Sequence, residues 1–427
     1  MAAMKKIHCD LLIIGSGMAG MASALFAARH PIDTVQVGIT GEINFASGLL
    51  DVLGVHPQDK GVRWKDPWAG IRQLVKDQPD HPYARLSVAQ IEQAMDRCIA
   101  FLDRAGLHYT TRGNLNSEVL TPAGTIKTTY ALPRSMVAGA EALADRTPTL
   151  MVDFYGLKGF SARQIIETLG DRWPGLECIR LTFPGASGEL YTEHAARHLD
   201  LAANRLKLAD LIRPHIGRAK AVGLPALLGI YHTTDVVADL ERHLGVPVFE
   251  IPTMVPSIMG LRLRETFEQQ LPAQGIRCFY QQKVHDAVAL PDGGFRFTAG
   301  GLSPEIRIRA RGAILASGRF FGRGLHADRN RIRETIFDLP VAQPTERNLW
   351  HHKDLLQPSG HPINRAGLDT DASFRPVDEN GQVIHHNLHA AGSILAHQDW
   401  IRQKCGSGLS IATAYAAVEA FAGGLDQ

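Results

Sequence analysis

The chain of 427 residues is long enough for two domains, and its 45% hydrophobic and 21% charged residues are ordinary for a soluble globular protein. Its formal net charge of +2 provides no overall attraction to nucleic acid. Arginines gather between Arg307 and Arg333, and they predict either a local positive face or a solvated surface with a few ion pairs.

The five cysteines are scattered and form no CxxC pair, so the sequence encodes neither a zinc site nor an iron–sulfur ligand set. An odd, sparse set of cysteines is typical of a reducing compartment. The sequence has no uninterrupted apolar run of about 18 residues, the length that a bilayer-spanning helix needs. We therefore expect a cytoplasmic chain without a metal site, attached to a membrane only through a partner.

The strongest motif is a glycine-rich turn near the amino terminus. Residues 10–14 read Asp-Leu-Leu-Ile-Ile, and their apolar run is typical of a buried parallel strand. Glycines then follow with the GxGxxG spacing, which allows a tight turn, close approach of a pyrophosphate and packing of a helix on the strand. A helix predicted over 18–30 would direct its amino-terminal amides at that phosphate. The predicted cofactor-binding residues here are Gly15, Ser16, Gly17, Met18, Ala19 and Gly20.

One element of the dinucleotide pattern is missing. The second strand, predicted over 34–37, should be followed by an acidic residue that binds the adenosine ribose. The sequence has Gly38, Ile39 and Thr40 there, and the first acid is Glu42. Either Glu42 reaches the ribose from the loop, or the adenosine half is held weakly or is absent. The sequence therefore leaves FMN and FAD as alternative flavins.

The second half of a flavin-binding domain is predicted after residue 270. A strand over 278–284 is followed by short strands with turn glycines between them, which predict an antiparallel meander over 287–308. An apolar strand over 312–318 then ends in small residues. This order resembles the second half of FAD-dependent oxidoreductases, in which the final glycine lies close to the nucleotide. The candidate cofactor-binding residues here are Val284, Ala316, Ser317 and Gly318.

Three further segments supply candidate flavin contacts. Residues 387–393 form a predicted strand that ends in small residues, and a glycine-rich start at 406–408 precedes an alanine-rich helix over 409–422. Bare amides at such a helix start would stabilise a reduced flavin through their partial positive charge. A small-residue loop after the second strand could pass beneath the ring. These segments add Gly392, Gly406, Ser407, Gly408, Ala46, Ser47 and Gly48.

These elements predict an α/β fold with two domains. A Rossmann-like flavin-binding domain is assembled from residues 1–150 and 266–427. An inserted α+β domain over 151–265 would act as a cap for substrate or a partner. Within the insertion we expect helices over 161–169, 192–201 and 234–244, and a strand over 248–251.

Several stretches resemble, in order along the chain, the B subunits of anaerobic glycerol-3-phosphate dehydrogenases. They are residues 45–53, 121–129, 223–229, 251–263, 367–371, 374–376 and 406–408. The resemblance implies an FMN-binding flavoprotein that pairs with a catalytic flavoprotein, the A subunit, while an iron–sulfur protein, the C subunit, ties the pair to the inner face of the cell membrane. It also implies oxidation of sn-glycerol 3-phosphate to dihydroxyacetone phosphate, with electrons passing toward menaquinone.

The sequence offers only scattered candidates for substrate chemistry. Oxidation of a secondary alcohol needs a base for the hydroxyl proton and cations for the phosphate. No combination of the two stands out, which favours an electron-relay role over a chain that oxidises substrate itself. A flavoprotein of the succinate dehydrogenase type is the remaining alternative. The catalytic candidates are Arg262, Arg365, His361 and His397, and further anion-binding candidates are Lys127, Arg134, Arg319 and Arg323.

Overall fold

The computed structural model describes residues 4–39, 42–186 and 188–425. Its contacts divide the chain into two compact units. The first unit comprises Met1–Ile43, Asp51–Ala105 and Thr266–Gln427, and the second comprises Asn44–Leu50 and Gly106–Glu265.

The second unit is larger than the predicted insertion. It ends at residue 265 as predicted, but it begins at residue 106 rather than 151 and also takes in residues 44–50. The difference has a simple cause: Leu120 and Leu143 share one hydrophobic core with Met151 and Phe249. Burial of that shared apolar surface joins the segment before residue 151 to the insertion. The predicted role of this unit as a cap stays a prediction.

The elements are numbered in chain order through both units. The strands are β1 (Lys5–Ile14), β2 (Thr34–Gly38), β3 (Tyr109–Thr111), β4 (Ser117–Leu120), β5 (Ile126–Thr129), β6 (Ala131–Pro133), β7 (Thr149–Phe154), β8 (Leu176–Leu181), β9 (Ala221–Pro225), β10 (Val248–Ile251), β11 (Arg277–Tyr280), β12 (Lys283–Ala289), β13 (Phe295–Gly300), β14 (Ile306–Leu315), β15 (Leu325–Ala327), β16 (Ile332–Glu334) and β17 (Leu388–Ala390). The α-helices are α1 (Met18–Ala27), α2 (Pro67–Asp77), α3 (Val88–Arg104), α4 (Val137–Asp145), α5 (Ala162–Leu169), α6 (Thr192–Leu199), α7 (Ala202–Ile212), α8 (Thr233–Leu244), α9 (Ile258–Ala273), α10 (Trp400–Gln403) and α11 (Gly406–Leu425).

A mixed sheet with the strand order β11-β2-β1-β14-β13-β12 forms the centre of the first unit, and β17 also pairs with β14. β1 and β14 pair in parallel from Lys5↔Ile306 to Ile14↔Leu315, so both ends of the chain enter one sheet. β2, β11 and β17 join it in parallel, whereas β12, β13 and β14 form the antiparallel meander. The prediction of a Rossmann-like α/β domain built from both chain ends is confirmed.

Two strand boundaries in this sheet differ from the prediction. The single strand predicted over 278–284 is instead the end of β11 and the start of β12, separated at Gln281, which has a left-handed φ of 60°. The predicted strands over 306–308 and 312–318 are one continuous strand, β14. Its first half pairs with β13 and its second half with β17, which explains why its sequence changes from alternating to continuously apolar.

Helix α11 is the one helix among the described residues that is long and apolar enough to cross a membrane, judged by length and composition alone. In the most apolar 18-residue window of this helix, 56% of the residues are buried inside the protein. The helix packs against α1 and α3 of the same unit. A helix that is apolar on all sides is typical of the core of a large protein, and the burial of α11 agrees with that role.

The second unit has a parallel sheet of its own, with the order β10-β9-β7-β8. The sequence predicts an α+β arrangement here, but these strands alternate with helices, which is an α/β arrangement. The short pairs β3–β6 and β4–β5 are antiparallel. The predicted strand over 248–251 and the three predicted helices are present, with ends shifted by at most two residues. The remaining strands of the parallel sheet are additional.

A buried ion pair lies at the centre of the second unit. Both nitrogens Nη1 and Nη2 of Arg262 donate to the Glu250 carboxylate at 2.7 and 2.9 Å, and the two residues are only 2% and 1% exposed. Ser135 Oγ and the Leu228 amide also donate to that carboxylate, and Arg262 donates to the Gly229 carbonyl. Burial alone would raise the pKa of Glu250, but the charge and hydrogen bonds of Arg262 hold it below its ordinary value. The pair therefore stays ionised.

Removing one partner of this pair should destabilise the protein strongly. We expect Arg262→Met to lower the free energy of unfolding by about 3–5 kcal/mol, because it leaves the Glu250 charge buried and unpaired. The control Arg242→Met removes an exposed ion pair with Asp239, where the loss should stay below about 1 kcal/mol. Denaturant unfolding measures both. The pKa of Glu250 is lower in the folded protein than in the unfolded chain. The stability that the ionised Glu250 contributes is therefore present above the ordinary pKa of a glutamate, and it disappears as the pH falls through the pKa of the folded protein. Equal losses in the two variants would contradict this account.

Candidate nucleotide and substrate sites

A cavity of about 290 Å³ lies at the carboxyl ends of β1, β2 and β14 in the first unit, and we call it the turn cavity. Ligands of open α/β sheets bind at this edge of the strands. Of the predicted cofactor-binding residues, Gly15, Ser16, Gly17, Val284, Ala316 and Ser317 line it. The other segments of its wall are residues 37–39, 282–283, 321–323 and 335–336, together with Ile14.

The glycine-rich turn is shaped by the approach of its backbone to β14. Gly15 has φ +132°, and a Cβ there would lie 2.1 Å from the Ala316 carbonyl oxygen. A Cβ on Gly20 would lie equally close to the Gly15 carbonyl oxygen. Any side chain at these positions would push the helix or β14 away. Gly17 is the N-cap of α1, whose first turn has no acidic residue, so its amides and dipole can favour an anion.

A steric obstacle excludes an acid at Gly38, the first of the three positions after the predicted strand over 34–37 where the sequence pattern expects one. A Cβ on Gly38 would lie 2.5 Å from the Ser16 amide nitrogen and 2.6 Å from its Oγ. The Ser16 hydroxyl donates to the Ile39 carbonyl at 2.8 Å and so occupies the place of a side chain from the strand end. The sequence left open that Glu42 reaches the ribose, but the Glu42 side chain lies outside the described residues. Thr40 also lies outside them.

The polar atoms of the turn cavity suit an anionic, ring-bearing ligand. Ser317 Oγ and Gln282 Oε1 are buried without a hydrogen-bond partner among the described residues, and such atoms cost free energy unless a ligand or water satisfies them. Lys283 and Arg323 contribute cations, and no described carboxylate side chain lines this cavity. The turn, the unsatisfied atoms and the cations therefore fit the phosphate and polar groups of a flavin nucleotide.

The remaining predicted contacts of the first unit do not line the turn cavity. A Cβ on Gly392 would lie 2.5 Å from the Ala19 Cβ, and the Gly392 amide donates to Thr413 Oγ1 at 2.9 Å. Gly318 has φ +69° and directly follows Ser317. Among the described residues, the predicted contacts of this unit that do not line the turn cavity are Met18, Ala19, Gly20, Gly318, Gly392, Gly406, Ser407 and Gly408.

The start of α11 is not the open set of amides that the sequence predicts. The Gly408 amide donates to the Asp51 carbonyl at 2.7 Å, and Ser407 Oγ accepts from the Asp51 amide at 2.6 Å. A Cβ on Gly406 would lie 2.7 Å from the Trp400 ring. The expectation of a bare amide is therefore wrong for Gly408, because a neighbouring backbone segment already uses it.

The loop residues Ala46, Ser47 and Gly48 belong to the second unit. Ser257 Oγ donates to the Ala46 carbonyl at 2.7 Å, and the Tyr109 hydroxyl donates to the Gly48 carbonyl at 2.6 Å. Ser47 is half-buried. Their predicted contact with a flavin stays a prediction, as do the predicted roles of Lys127 and Arg134 in the same unit.

A second cavity in the first unit, of about 480 Å³, brings together three of the four catalytic candidates. Arg365, His361 and His397 line it together with His352, and we call it the histidine cavity. His397 Nε2 lies 2.5 Å from Asp369 Oδ1, and this hydrogen bond lowers the pKa of Asp369. The arrangement combines a carboxylate-oriented imidazole with an arginine. It can therefore accept a proton and hold an anion.

His361 is held in one tautomer by its neighbours. Its Nδ1 accepts from the His352 amide at 3.1 Å, so its Nε2 carries the proton that is donated to the Leu355 carbonyl at 3.1 Å. With both ring nitrogens engaged, His361 is less available as a base than His397. The structure therefore separates two histidines that the sequence could not rank.

Two of the predicted anion-binding arginines are structural. Arg262 donates hydrogen bonds to the Glu250 carboxylate and to the Gly229 carbonyl in the second unit. Arg319 donates to the carbonyls of Asn364, Leu395 and Gln398 and ties the end of β14 to those loops. The prediction that Arg262 or Arg319 holds a substrate phosphate is wrong, because Nε, Nη1 and Nη2 of Arg262 and both Nη1 and Nη2 of Arg319 already donate to acceptors inside the protein.

No group of three or more His, Cys, Asp or Glu residues that could hold a metal is found among the described residues. The cysteines are all free.

Comparison with known proteins agrees with this geometry. Residues 10–409 match the family described as FAD binding domain. The probable anaerobic glycerol-3-phosphate dehydrogenase B subunit of Halobacterium salinarum is 34% identical, over 96% of this chain and 97% of its own. The B subunit of the Vibrio vulnificus enzyme is 28% identical over 97% and 96%. The chain belongs to the family of anaerobic glycerol-3-phosphate dehydrogenase B subunits.

The resemblance found in the sequence is thus confirmed, and this chain is a flavin-binding oxidoreductase component of a larger complex. Among solved structures it is similar to 3-ketosteroid Δ1-dehydrogenase from Sterolibacterium denitrificans, with 10% identity and a TM-score of 0.46 over 98% of this chain and 100% of that one.

Some residues of the turn cavity could not be singled out from the sequence. Lys283, Phe321 and Thr335 line it, yet none belongs to a motif. Lys283 adjoins the predicted Val284, so its place next to a predicted contact was a usable signal. Phe321 and Thr335 arrive from loops, for which the sequence carries no comparable signal.

Restoring the missing acid should weaken this site rather than improve it. We expect Gly38→Asp and Gly38→Ala to lower the free energy of unfolding alike, by about 1–3 kcal/mol, because any Cβ overlaps the Ser16 backbone. Both should also retain less flavin. Gly301→Asp is the control, since nothing lies within 4 Å of a Cβ there. Thermal unfolding and bound-flavin absorbance measure the effects. Tighter flavin binding by Gly38→Asp without a loss of stability would refute the steric explanation.

Proposed function

We propose that this chain is the FAD-bearing component of a quinone-linked sn-glycerol-3-phosphate dehydrogenase. The observation that carries the proposal is the turn cavity at the GxGxxG turn, in a chain that matches the B subunits of these enzymes along nearly its whole length. The complex would oxidise glycerol 3-phosphate to dihydroxyacetone phosphate. Its proposed partners are the catalytic A subunit, which would bind substrate, and the iron–sulfur C subunit, which would hold the chain at the inner face of the membrane.

FAD is the flavin that the shape of the turn cavity favours, although the family resemblance alone favours FMN. The cavity extends from the phosphate-binding turn past the end of β2 at 37–39 to residues 282–284 at the start of β12. In doubly wound dinucleotide-binding folds the adenosine lies on this side, near the end of the second strand. FMN would leave this side of the cavity without a ligand. The match to an FAD binding domain supports the same choice.

In the proposed complex this chain relays electrons from the catalytic partner toward the iron–sulfur clusters of the membrane-bound one. A bound flavin can accept a pair of electrons and return them singly. The contribution of the chain is to hold the nucleotide at the turn and at the buried polar atoms of Ser317 and Gln282. Two of the arginines available for a substrate phosphate, Arg262 and Arg319, are engaged internally, which supports a relay over substrate oxidation in this chain.

The histidine cavity supports a second candidate function, in which the chain oxidises the phosphorylated alcohol itself. Arg365 would bind the phosphate, and His397, oriented by Asp369, would take the hydroxyl proton. An imidazole with a carboxylate partner is a common general base. This candidate needs the alcohol carbon to reach the flavin from that cavity.

Heat release of the chromophore tests the cofactor. We expect the purified chain to be yellow and to release FAD, identified by chromatography and mass. Release of FMN alone would replace FAD while leaving a flavoprotein. Folded protein that stays colourless when offered FAD or FMN would remove the proposed function.

Anaerobic reduction separates the relay from the second candidate. For the relay, glycerol 3-phosphate should leave the flavin absorbance of the isolated chain unchanged and should bleach it only when the catalytic partner is present. For the second candidate, the isolated chain should bleach, and Arg365→Ala should slow the bleaching at least about tenfold by removing a charge-assisted contact. Arg329→Ala, an exposed charge outside both cavities, is the control. Bleaching of the isolated chain would refute the relay.

A further inference from the structure

We propose that the first unit contacts the surface of an anionic lipid bilayer directly, through exposed apolar residues bordered by cations. From the sequence we expect membrane attachment only through a partner, and this proposal adds a contact made by the chain itself. It does not depend on which flavin is bound. The apolar residues, which we call the exposed patch, are Leu349, Leu355, Leu356, Trp400 and Ile401.

Two adjacent leucines are the most prominent members of the exposed patch. Leu355 and Leu356 are 81% and 87% exposed, and Leu349, Trp400 and Ile401 are between 37% and 53% exposed. Single apolar side chains scattered over a surface are common and need no explanation. A contiguous group of them marks a site that contacts another protein or a membrane.

The two segments that carry the exposed patch meet at Gly360. A Cβ on Gly360 would lie 2.6 Å from Asp399 Oδ2 and 3.1 Å from Arg402 Cδ, so the loop packs against α10, which carries Trp400 and Ile401. The next residue, His361, holds the other end of the loop. Its Nε2 lies 3.1 Å from the Leu355 carbonyl oxygen, and its ring lies 5.3 Å from that of His351. The members of the patch therefore surround one point of the surface.

The loop that presents the leucines is held in place by its own hydrogen bonds. The Gln357 amide donates to the Asp354 carbonyl at 3.1 Å, and the Gly360 amide donates to the Gln357 carbonyl at 3.0 Å. Gln58 Nε2 donates to the Ser359 carbonyl at 2.7 Å. A loop that is already ordered loses little conformational entropy on binding, so more of the free energy of burying its leucines is available for attachment.

The border of the exposed patch is positively charged. Arg347 Nη1 donates to the Asp328 carbonyl at 2.9 Å and joins the tip of the β15–β16 hairpin to the segment before Leu349. Residues 326–333 and 346–354 together contain five arginine or lysine residues against three carboxylates. Arg333 pairs with Asp328, whereas neither Arg329 nor Lys353 has a carboxylate within ion-pair distance among the described residues. This charge complements the headgroups of anionic lipids.

The combination of leucine and tryptophan with bordering cations favours a bilayer as the occupant. Protein segments that lie in a membrane interface have this composition, with apolar side chains at the acyl boundary and Lys or Arg at the headgroups. A few leucines and cations bind a bilayer only weakly and reversibly, so stable attachment would still need a second anchor. Helix α11 is mostly buried, so the proposed contact lies at the membrane surface.

The test is flotation of the purified full-length protein with vesicles of phosphatidylcholine, either alone or with phosphatidylglycerol added. We expect the wild-type protein to bind only the anionic vesicles, and less so at high salt, where charges are screened. Leu355→Ser combined with Leu356→Ser should weaken this binding at least about tenfold, because two side chains leave the acyl boundary. The control Leu302→Ser changes a fully exposed leucine in the turn between β13 and β14 and should bind like the wild type.

A second pair of variants tests the charged border. Arg329→Gln combined with Lys353→Gln should weaken binding to the anionic vesicles about tenfold. Arg104→Gln combined with Lys207→Gln makes the same charge change at exposed positions on α3 and α7 and should have little effect. All these variants should keep the flavin content and thermal stability of the wild type, because the changed side chains are exposed.

The other outcomes overturn the proposal and identify what replaces it. Wild-type protein that binds no anionic vesicles would exclude direct contact with lipid. If the leucine variant floats as well as the wild type, the exposed patch is not the surface in contact. If the leucine changes instead abolish self-association or co-purification with a partner subunit, the patch is a protein interface. Each of these results leaves the proposed flavoprotein function untouched, since flavin content is measured on the same samples.

Discussion

The parallel pairing of β1 with β14 is the contact on which the nucleotide site depends. It brings residue 14 beside residue 315, so the turn after β1 and the end of β14 form adjacent walls of one cavity. The approach is so close that a Cβ on Gly15 would overlap the Ala316 carbonyl. Because the two strands are about 300 residues apart in sequence, the site exists only after the loop between them has closed, which carries a large entropic cost. The buried apolar residues of both strands must offset that cost.

The sequence could predict those parts of the site that depend on local geometry. A strand, a glycine turn and a helix that follow one another directly form one folding unit, so Gly15, Ser16 and Gly17 were identifiable from spacing alone. Ala316, at the end of β14, agrees with the rule that parallel strands present their carboxyl ends at one edge, whereas Val284 reaches the cavity from the start of the antiparallel strand β12. The strands of the second unit were harder, since short apolar runs such as 149–154 do not distinguish a buried strand from a helix.

The roles of the arginines could not be predicted from their positions. Arg262 and Arg319 are buried and donate to internal acceptors, whereas Arg323 and Arg365 line cavities. What separates them is the distribution of acceptors in three dimensions: Arg262 meets a carboxylate 12 residues away, and Arg319 meets carbonyls 45 to 79 residues away. These long-range acceptors cannot be identified from residue type and spacing in the sequence. For the same reason His361 and His397 looked alike until their hydrogen-bond partners were known.

The contact between Gly38 and the Ser16 backbone has an evolutionary consequence. Because the obstacle is a main-chain atom, no exchange of the neighbouring side chain can make room for a carboxylate at position 38. A descendant that acquired an acid at this position would first have to displace the turn from the strand, and each intermediate would fold less well. A carboxylate at position 38 is therefore difficult to acquire by single steps. Lineages that carry this turn are constrained to recognise the nucleotide by other means.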